Sequence, residues 1–101
     1  VMGDTRASQL PDVPTLMQSG VAGFDVSSWN ALAAPAKTPK DVIARLNKEV
    51  QAAVNAPDVK KKLYDLNVKA RSSTPEQLGN LLQSDIKRWS EVITRAGVPK
   101  M

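Results

Sequence analysis

The stretch that decides the fold runs from Leu10 to Asp41 and reads LPDVPTLMQSGVAGFDVSSWNALAAPAKTPKD. It predicts, in order, a proline-locked turn, a one-turn helix, a strand over Gly23–Ala34 and a helix that begins at Pro39. The centre of the strand is unusually polar for a buried strand. Its four residues are Ser27, Ser28, Trp29 and Asn30. Two hydroxyls, an indole donor and an amide at this density either converge on a polar ligand or satisfy nearby backbone groups and solvent.

One capping device recurs along the chain and marks the predicted helix starts. The pairs are Thr15 with Gln18, Thr38 with Asp41, and Thr74 with Gln77. In each pair the threonine hydroxyl accepts a hydrogen bond from the amide three residues on, and the longer side chain accepts one from the threonine amide. Pro39 and Pro75 follow two of the threonines. Proline suits the first helical position, where no amide donor is needed, so these are strong start signals.

The remaining residues predict further helices and a second short strand, which makes the fold class helix-rich α/β with about four helices and two strands. The predicted spans are Pro39 to Asn55, Pro57 to a left-handed stop at Asn67, a strand over Val68–Arg71, and Pro75 to Ala96, closed by Gly97. The last helix carries an apolar stripe of Leu78, Leu82, Ile86, Trp89, Val92, Ile93 and Ala96. This pattern predicts that Trp89 packs in a core and that Arg88 favours the helix dipole.

Composition limits the range of functions. The net charge is +4. The one basic run, Lys60–Lys62, places its three lysines on different sides of a helix, and no aromatic residue directly adjoins it. A solvated face therefore explains it better than a nucleic-acid site. The chain has no cysteine and no histidine. These absences exclude disulfides, thiolate metal sites and His-dependent acid–base chemistry, so no enzyme activity, metal or cofactor is predicted. No apolar run approaches the roughly 18 residues that cross a bilayer.

Several segments together resemble the C-terminal part of the Bug-type periplasmic solute-binding receptors, which are the extracytoplasmic components of tripartite tricarboxylate transporters. The resemblance begins with LPDVPT, QSG and GFDVSSWNALAAPAKTPKDVIARLN, and continues through PDVKKKLYDLNVKA, TPEQL and IKRWSEVITRAG. It covers essentially all 101 residues. The family's N-terminal and middle segments have no counterpart here, so the chain looks like a fragment. The first nine residues lack the features of a signal peptide, and an exported parent would carry its signal upstream.

The resemblance implies a two-lobed periplasmic receptor that closes around a small organic carboxylate and delivers it to membrane transporter subunits. Residues 1–22 would belong to the second lobe, residues 23–34 would cross between the lobes, and residues 35–101 would form the helical C-terminal part of the first lobe. In such receptors the crossover segment lies beside the cleft. The predicted ligand-binding candidates are therefore Ser27, Ser28, Trp29 and Asn30.

A second function class remains open beside the receptor. The apolar stripes of the helices are expected to cover a sheet whose main strands are missing, and two short strands cannot bury them. The chain is therefore expected to form a homo-oligomer, most simply a twofold dimer. In the alternative reading it is a self-associating interaction module with no ligand-binding role of its own.

Overall fold

The computed structural model describes residues 1–100 and contains three helices in that range. They are α1 (Lys40–Asn55), α2 (Pro57–Asp65) and α3 (Pro75–Ala96). The three long helices predicted from the sequence are confirmed, and their ends differ from the predicted ones by two residues at most. Asn67 adopts a left-handed conformation (φ 60°) just after α2, and Gly97 (φ 67°) does so just after α3. Both predicted stop signals are therefore confirmed.

The capping devices are formed at two of the three predicted places. At α3, the Thr74 Oγ1 accepts from the Gln77 amide at 3.1 Å, and Gln77 Oε1 accepts from the Thr74 amide at 2.9 Å. The prediction for Thr38 is wrong, since α1 begins at Lys40 and its cap is Pro39, with no side-chain hydrogen bond. With the helix beginning one residue late, Thr38 lies outside the capping position, and the side chain of Asp41 makes no return bond to it.

The first capping pair holds a turn in place of the predicted one-turn helix. Thr15 and Gln18 bond reciprocally at 3.1 Å in both directions, and the Ser19 amide donates to the Thr15 carbonyl at 3.0 Å. The chain does not continue as a helix from there. The N-terminal ammonium group of Val1 donates to the Pro14 carbonyl at 2.8 Å. Within residues 1–100, Thr15 is the only buried residue, with 1 % of its surface exposed.

Neither predicted strand is formed within the described residues. Gly23–Ala34 and Val68–Arg71 run as irregular chain. In the first of these segments, one amide, that of Val26, donates to the backbone of another segment, at the Met2 carbonyl (2.7 Å). A strand exists through the ladder that it forms with a neighbour, and a single bond is no ladder. The prediction of two strands is therefore wrong for residues 1–100, which contain none.

A polar seam joins α1 to the segment that precedes α3. Helices α1 and α2 pack against each other, with Ile43, Val50, Val54, Val59 and Leu63 half-buried. Asn47 is also half-buried, and its Nδ2 donates to the Ser73 carbonyl at 2.8 Å. Gln51 Nε2 donates to Asn47 Oδ1 at 2.6 Å, which holds the Asn47 amide in this orientation. The seam fixes the entry into α3 through amide groups rather than through apolar contacts.

Residues 1–100 contain no fully buried apolar side chain. The accessible surface is 8695 Å², whereas a compact monomer of this mass exposes about 5,600 Å². The radius of gyration is 16.8 Å, compared with about 13 Å for a compact chain of 100 residues. The stripe of α3 is open, with Leu82 48 %, Ile86 58 % and Ile93 46 % exposed. The expected core is therefore not closed by this chain alone.

Candidate functional site

The four predicted site residues lie together on an exposed stretch of irregular chain. Ser27, Ser28, Trp29 and Asn30 are all exposed. The side chains of Ser27, Ser28 and Asn30 make no hydrogen bond to any described residue, so their hydroxyl and amide groups are available to solvent or to a ligand. We call Ser27–Asn30 the polar strip. The structure brings its residues together in sequence, but it does not enclose them in a pocket.

Helix α3 holds the polar strip through two contacts made by residues that the sequence analysis did not select for the site. Trp29 Nε1 donates to Asp85 Oδ2 at 2.7 Å, across 56 positions of sequence. Arg88 Nη2 donates to the backbone carbonyl of Asp25. Asp85 and Arg88 are three residues apart and therefore lie on neighbouring positions of one helix face. We call these two contacts, Trp29 with Asp85 and Arg88 with Asp25, the tether. Both are made from adjacent turns of α3.

The Asp85 part of this tether has a signal in the sequence. Asp85 interrupts the apolar stripe of α3 next to Ile86, and an acid among apolar positions is a signal for a specific partner. The identity of that partner depends on where irregular residues 23–34 lie, which no periodicity predicts. Arg88, assigned from sequence to the helix dipole, is instead engaged with Asp25 and lies over the Trp89 ring, 5.6 Å from its centroid.

The prediction that Trp89 is buried in a core is wrong for this chain. Trp89 is 40 % exposed and Trp29 is 39 % exposed, so the two tryptophans do not differ in burial. The other large apolar side chains of this stripe are about as open, with Val92 43 % and Ile93 46 % exposed. Helical periodicity identifies which face of a helix is apolar, but a partner must be present for that face to be buried.

Residues 1–100 contain no group of three or more His, Cys, Asp or Glu side chains placed to hold a metal ion. None of their helices is both long enough and apolar enough to span a bilayer. A shallow groove at the start of α3 is lined by Arg71, Ser73, Gln77 and Leu81, among others. The Ser73 carbonyl there already accepts from Asn47, and the Thr74 and Gln77 side chains are used in capping.

Comparison with known proteins shows the family of this chain. A family model described as the tripartite tricarboxylate transporter family receptor matches residues 1–98. The chain belongs to this family. Its members are periplasmic solute receptors that work with the membrane subunits of tripartite transporters, and the family is not one of enzymes. The resemblance drawn from the sequence motifs is confirmed. No solved structure matched the chain.

Individual relatives are consistently longer than this chain. A UPF0065 protein from the tcbD-tcbE intergenic region of Pseudomonas sp. (strain P51) is 42 % identical over 89 residues, which are 87 % of this chain and 26 % of that protein. One from the TAR-I ttuE-ttuC' intergenic region of Agrobacterium vitis is 33 % identical over 91 % of this chain and 28 % of its own length. Protein BugT of Bordetella pertussis is 27 % identical over 96 % of this chain and 30 % of its own length. The chain thus spans less than a third of each of these relatives.

Proposed function

We propose that this chain is part of an extracytoplasmic receptor that binds a small organic carboxylate and delivers it to the membrane subunits of a tripartite tricarboxylate transporter. The proposal places the receptor in the periplasm and assigns no catalysis and no cofactor to it. Family membership supports the receptor role. The carboxylate assignment rests on the chemistry of the polar strip, which is the observation that carries the proposal.

The polar strip suits a carboxylate because its free groups include hydrogen-bond donors. Ser27 and Ser28 each supply a hydroxyl and Asn30 supplies an amide, and none of the three is bonded to a described residue. Carboxylate oxygens accept several hydrogen bonds, and bonds to an ionised acceptor are stronger than neutral ones. The chain carries 14 Lys and Arg against 10 Asp and Glu, a balance that favours the approach of anions.

The proposed arrangement is that of a two-lobed receptor with the polar strip beside the cleft. Residues 1–22 are assigned to the second lobe, residues 23–34 to the crossover, and residues 35–101 to the helical C-terminal part of the first lobe. The irregular chain over residues 23–34, held on α3 by Trp29, is compatible with a segment that passes between two bodies. In a receptor of full family length the segment would have the neighbours that a strand needs.

Calorimetry with two forms of the protein tests the receptor proposal. A receptor of full family length that carries this sequence is expected to bind at least one of citrate, succinate, glutamate and benzoate. Trp29→Ala is expected to cost more free energy of binding than free energy of unfolding. The 101-residue chain alone is expected to bind the same acids weakly or not at all, since ligand sites normally bury most of the ligand surface and the polar strip is open. Micromolar binding by a demonstrated monomer of the short chain would contradict this arrangement.

We also propose that the 101-residue chain, alone in solution, pairs with a second copy of itself. The observation that favours this is the open α3 stripe together with an accessible surface about 3,100 Å² above that of a compact monomer. For the isolated chain, a second copy is the partner always available at its own concentration, and twofold pairing is the commonest closed arrangement. Self-association of the short chain is compatible with the receptor role, because the same face has other neighbours in a longer protein.

A further inference from the structure

Residues 27–34 have a single hydrogen bond to the rest of the described chain. Their backbone groups bond to no other backbone group, and their side chains make one bond, from the Trp29 indole to Asp85. The neighbouring long-range bonds lie just before the segment, where the Val26 amide donates to the Met2 carbonyl and Arg88 donates to the Asp25 carbonyl, whereas the Thr38–Pro35 bond only closes a local turn. The position of the polar strip on α3 therefore depends on one bond more than on any other.

Asp85 differs from the other residues of the second half of α3 and the tail that follows. Over residues 79–100 it is the one residue that is half-buried, and every other residue in that range is exposed. The least exposed residue in this range is thus an acid, Asp85, and not an apolar residue such as Leu82, Ile86 or Ile93. The 2.7 Å separation of Trp29 Nε1 and Asp85 Oδ2 is that of a short, charge-assisted bond.

Arg88 adds a second contact one turn further along α3. Its guanidinium donates to the Asp25 carbonyl, two residues before the strip, while its Cζ lies 5.6 Å from the centre of the Trp89 ring. Stacking on an aromatic ring limits the orientations of a guanidinium group and so supports the bond to Asp25. Arg88 and Asp85 therefore bond to the chain on both sides of Ser27 and Ser28, at Asp25 and at Trp29.

We infer that Asp85 is a positioning residue for the ligand site, which acts by holding the Trp29 indole and through it the polar strip, with Arg88 as its helper. This inference rests on the proposed function for its meaning, but the tether itself is a property of the chain. Asp85 does not contact the ligand in this role. It sets where the free hydroxyls of Ser27 and Ser28 stand relative to α3.

Fluorescence quenching of Trp29 tests the tether directly in the 101-residue chain. Trp89→Phe makes Trp29 the sole tryptophan and keeps an aromatic ring under Arg88. In that background, Asp85→Ala is expected to shift the docked-to-free equilibrium of the strip by about tenfold or more, the effect of one net hydrogen bond to a charged group, and so to raise acrylamide quenching. Asp85→Asn keeps an acceptor oxygen and is expected to restore part of the protection. Glu91→Ala is the matched control, because Glu91 is an exposed acid on the same helix and its side chain makes no hydrogen bond or ion pair with a described residue.

The outcomes separate the tether from the receptor proposal. The tether is overturned if Asp85→Ala and Glu91→Ala show equal quenching while the helix content of both, measured by circular dichroism, is unchanged. Increased quenching with partial recovery in Asp85→Asn supports it. In a receptor of full family length, Asp85→Ala is then expected to weaken carboxylate binding by at most the factor by which it shifts the docked-to-free equilibrium, about tenfold or more. Increased quenching with unchanged affinity would leave the tether in place and remove the polar strip from the ligand site.

Discussion

Self-association of the 101-residue chain can be tested by placing a charge on the open face of α3. Ile86 is 58 % exposed at the centre of the stripe, which makes it the natural position for the change Ile86→Glu. If this face pairs with a second copy, the substitution introduces an acid into the contact of both partners. If the face is open in solution, the same substitution changes only the surface charge.

The expected magnitude follows from the area that Ile86 has left to bury. Complete burial of an isoleucine side chain is worth about 1.5–3 kcal/mol, so the 58 % still exposed corresponds to about 1–2 kcal/mol per chain. A twofold dimer contains the position twice, which gives about 2–4 kcal/mol before the cost of desolvating two carboxylates is added. Dissociation is therefore expected to become easier by about 100-fold or more. An interface of standard size takes about 800 Å² from each partner, which is well within the surplus surface of this chain.

Light scattering over a micromolar dilution series gives the readout. The unmodified chain is expected to scatter above its monomer mass of 10.9 kDa at high concentration and to approach it on dilution. Ile86→Glu is expected to stay at the monomer mass throughout. Gln83→Glu is the matched control, since Gln83 is exposed on α3, lies off the stripe and gains the same charge. A monomer at all concentrations of the unmodified chain, with cooperative unfolding that does not depend on concentration, would refute the reasoning.

Two further predictions concern stability, both measured by urea unfolding followed by circular dichroism. Thr74→Ala is expected to cost about 1 kcal/mol because it removes a formed capping box, whereas Thr38→Ala, where no cap is formed, is expected to change stability by less than about 0.5 kcal/mol. Equal losses at the two threonines would contradict the assigned start of α1. Trp89→Ala is expected to cost about 2 kcal/mol in the 101-residue chain at concentrations where it is a monomer, below the 3–5 kcal/mol of a fully buried tryptophan, because 40 % of Trp89 is already exposed. A loss of about 4 kcal/mol or more in the monomer would mean that other parts of the same chain cover this face.

Local chemistry made the helices predictable. Proline at the start and a residue able to adopt positive φ at the end are signals that act within one turn, and they placed α2 and α3 correctly at Pro57, Pro75, Asn67 and Gly97. The same local rule failed at Thr38, where the choice between two adjacent starting positions depends on small differences in backbone conformation.

The strands and the core could not be predicted in the same way, because both need partners distant in sequence. Gly23–Ala34 has the composition of a strand with a polar centre, but no neighbouring strand among residues 1–100 forms a ladder with it. Trp89 lies on an apolar face as predicted, but its burial depends on what covers that face. The residues of the polar strip are exposed, and their role as a ligand site stays a prediction.

Sequence patterns alone predicted most helix ends, the apolar faces, the position of the polar strip and, through the motifs, membership in the receptor family. The hydrogen bonds from Trp29 to Asp85, from Arg88 to Asp25 and from Asn47 to the entry of α3 become visible only in the folded chain. The physical reason is the range of the forces involved. Capping and periodicity act over three or four residues, whereas these hydrogen bonds join groups 26 to 63 positions apart and exist only once the helices have fixed where an irregular segment lies.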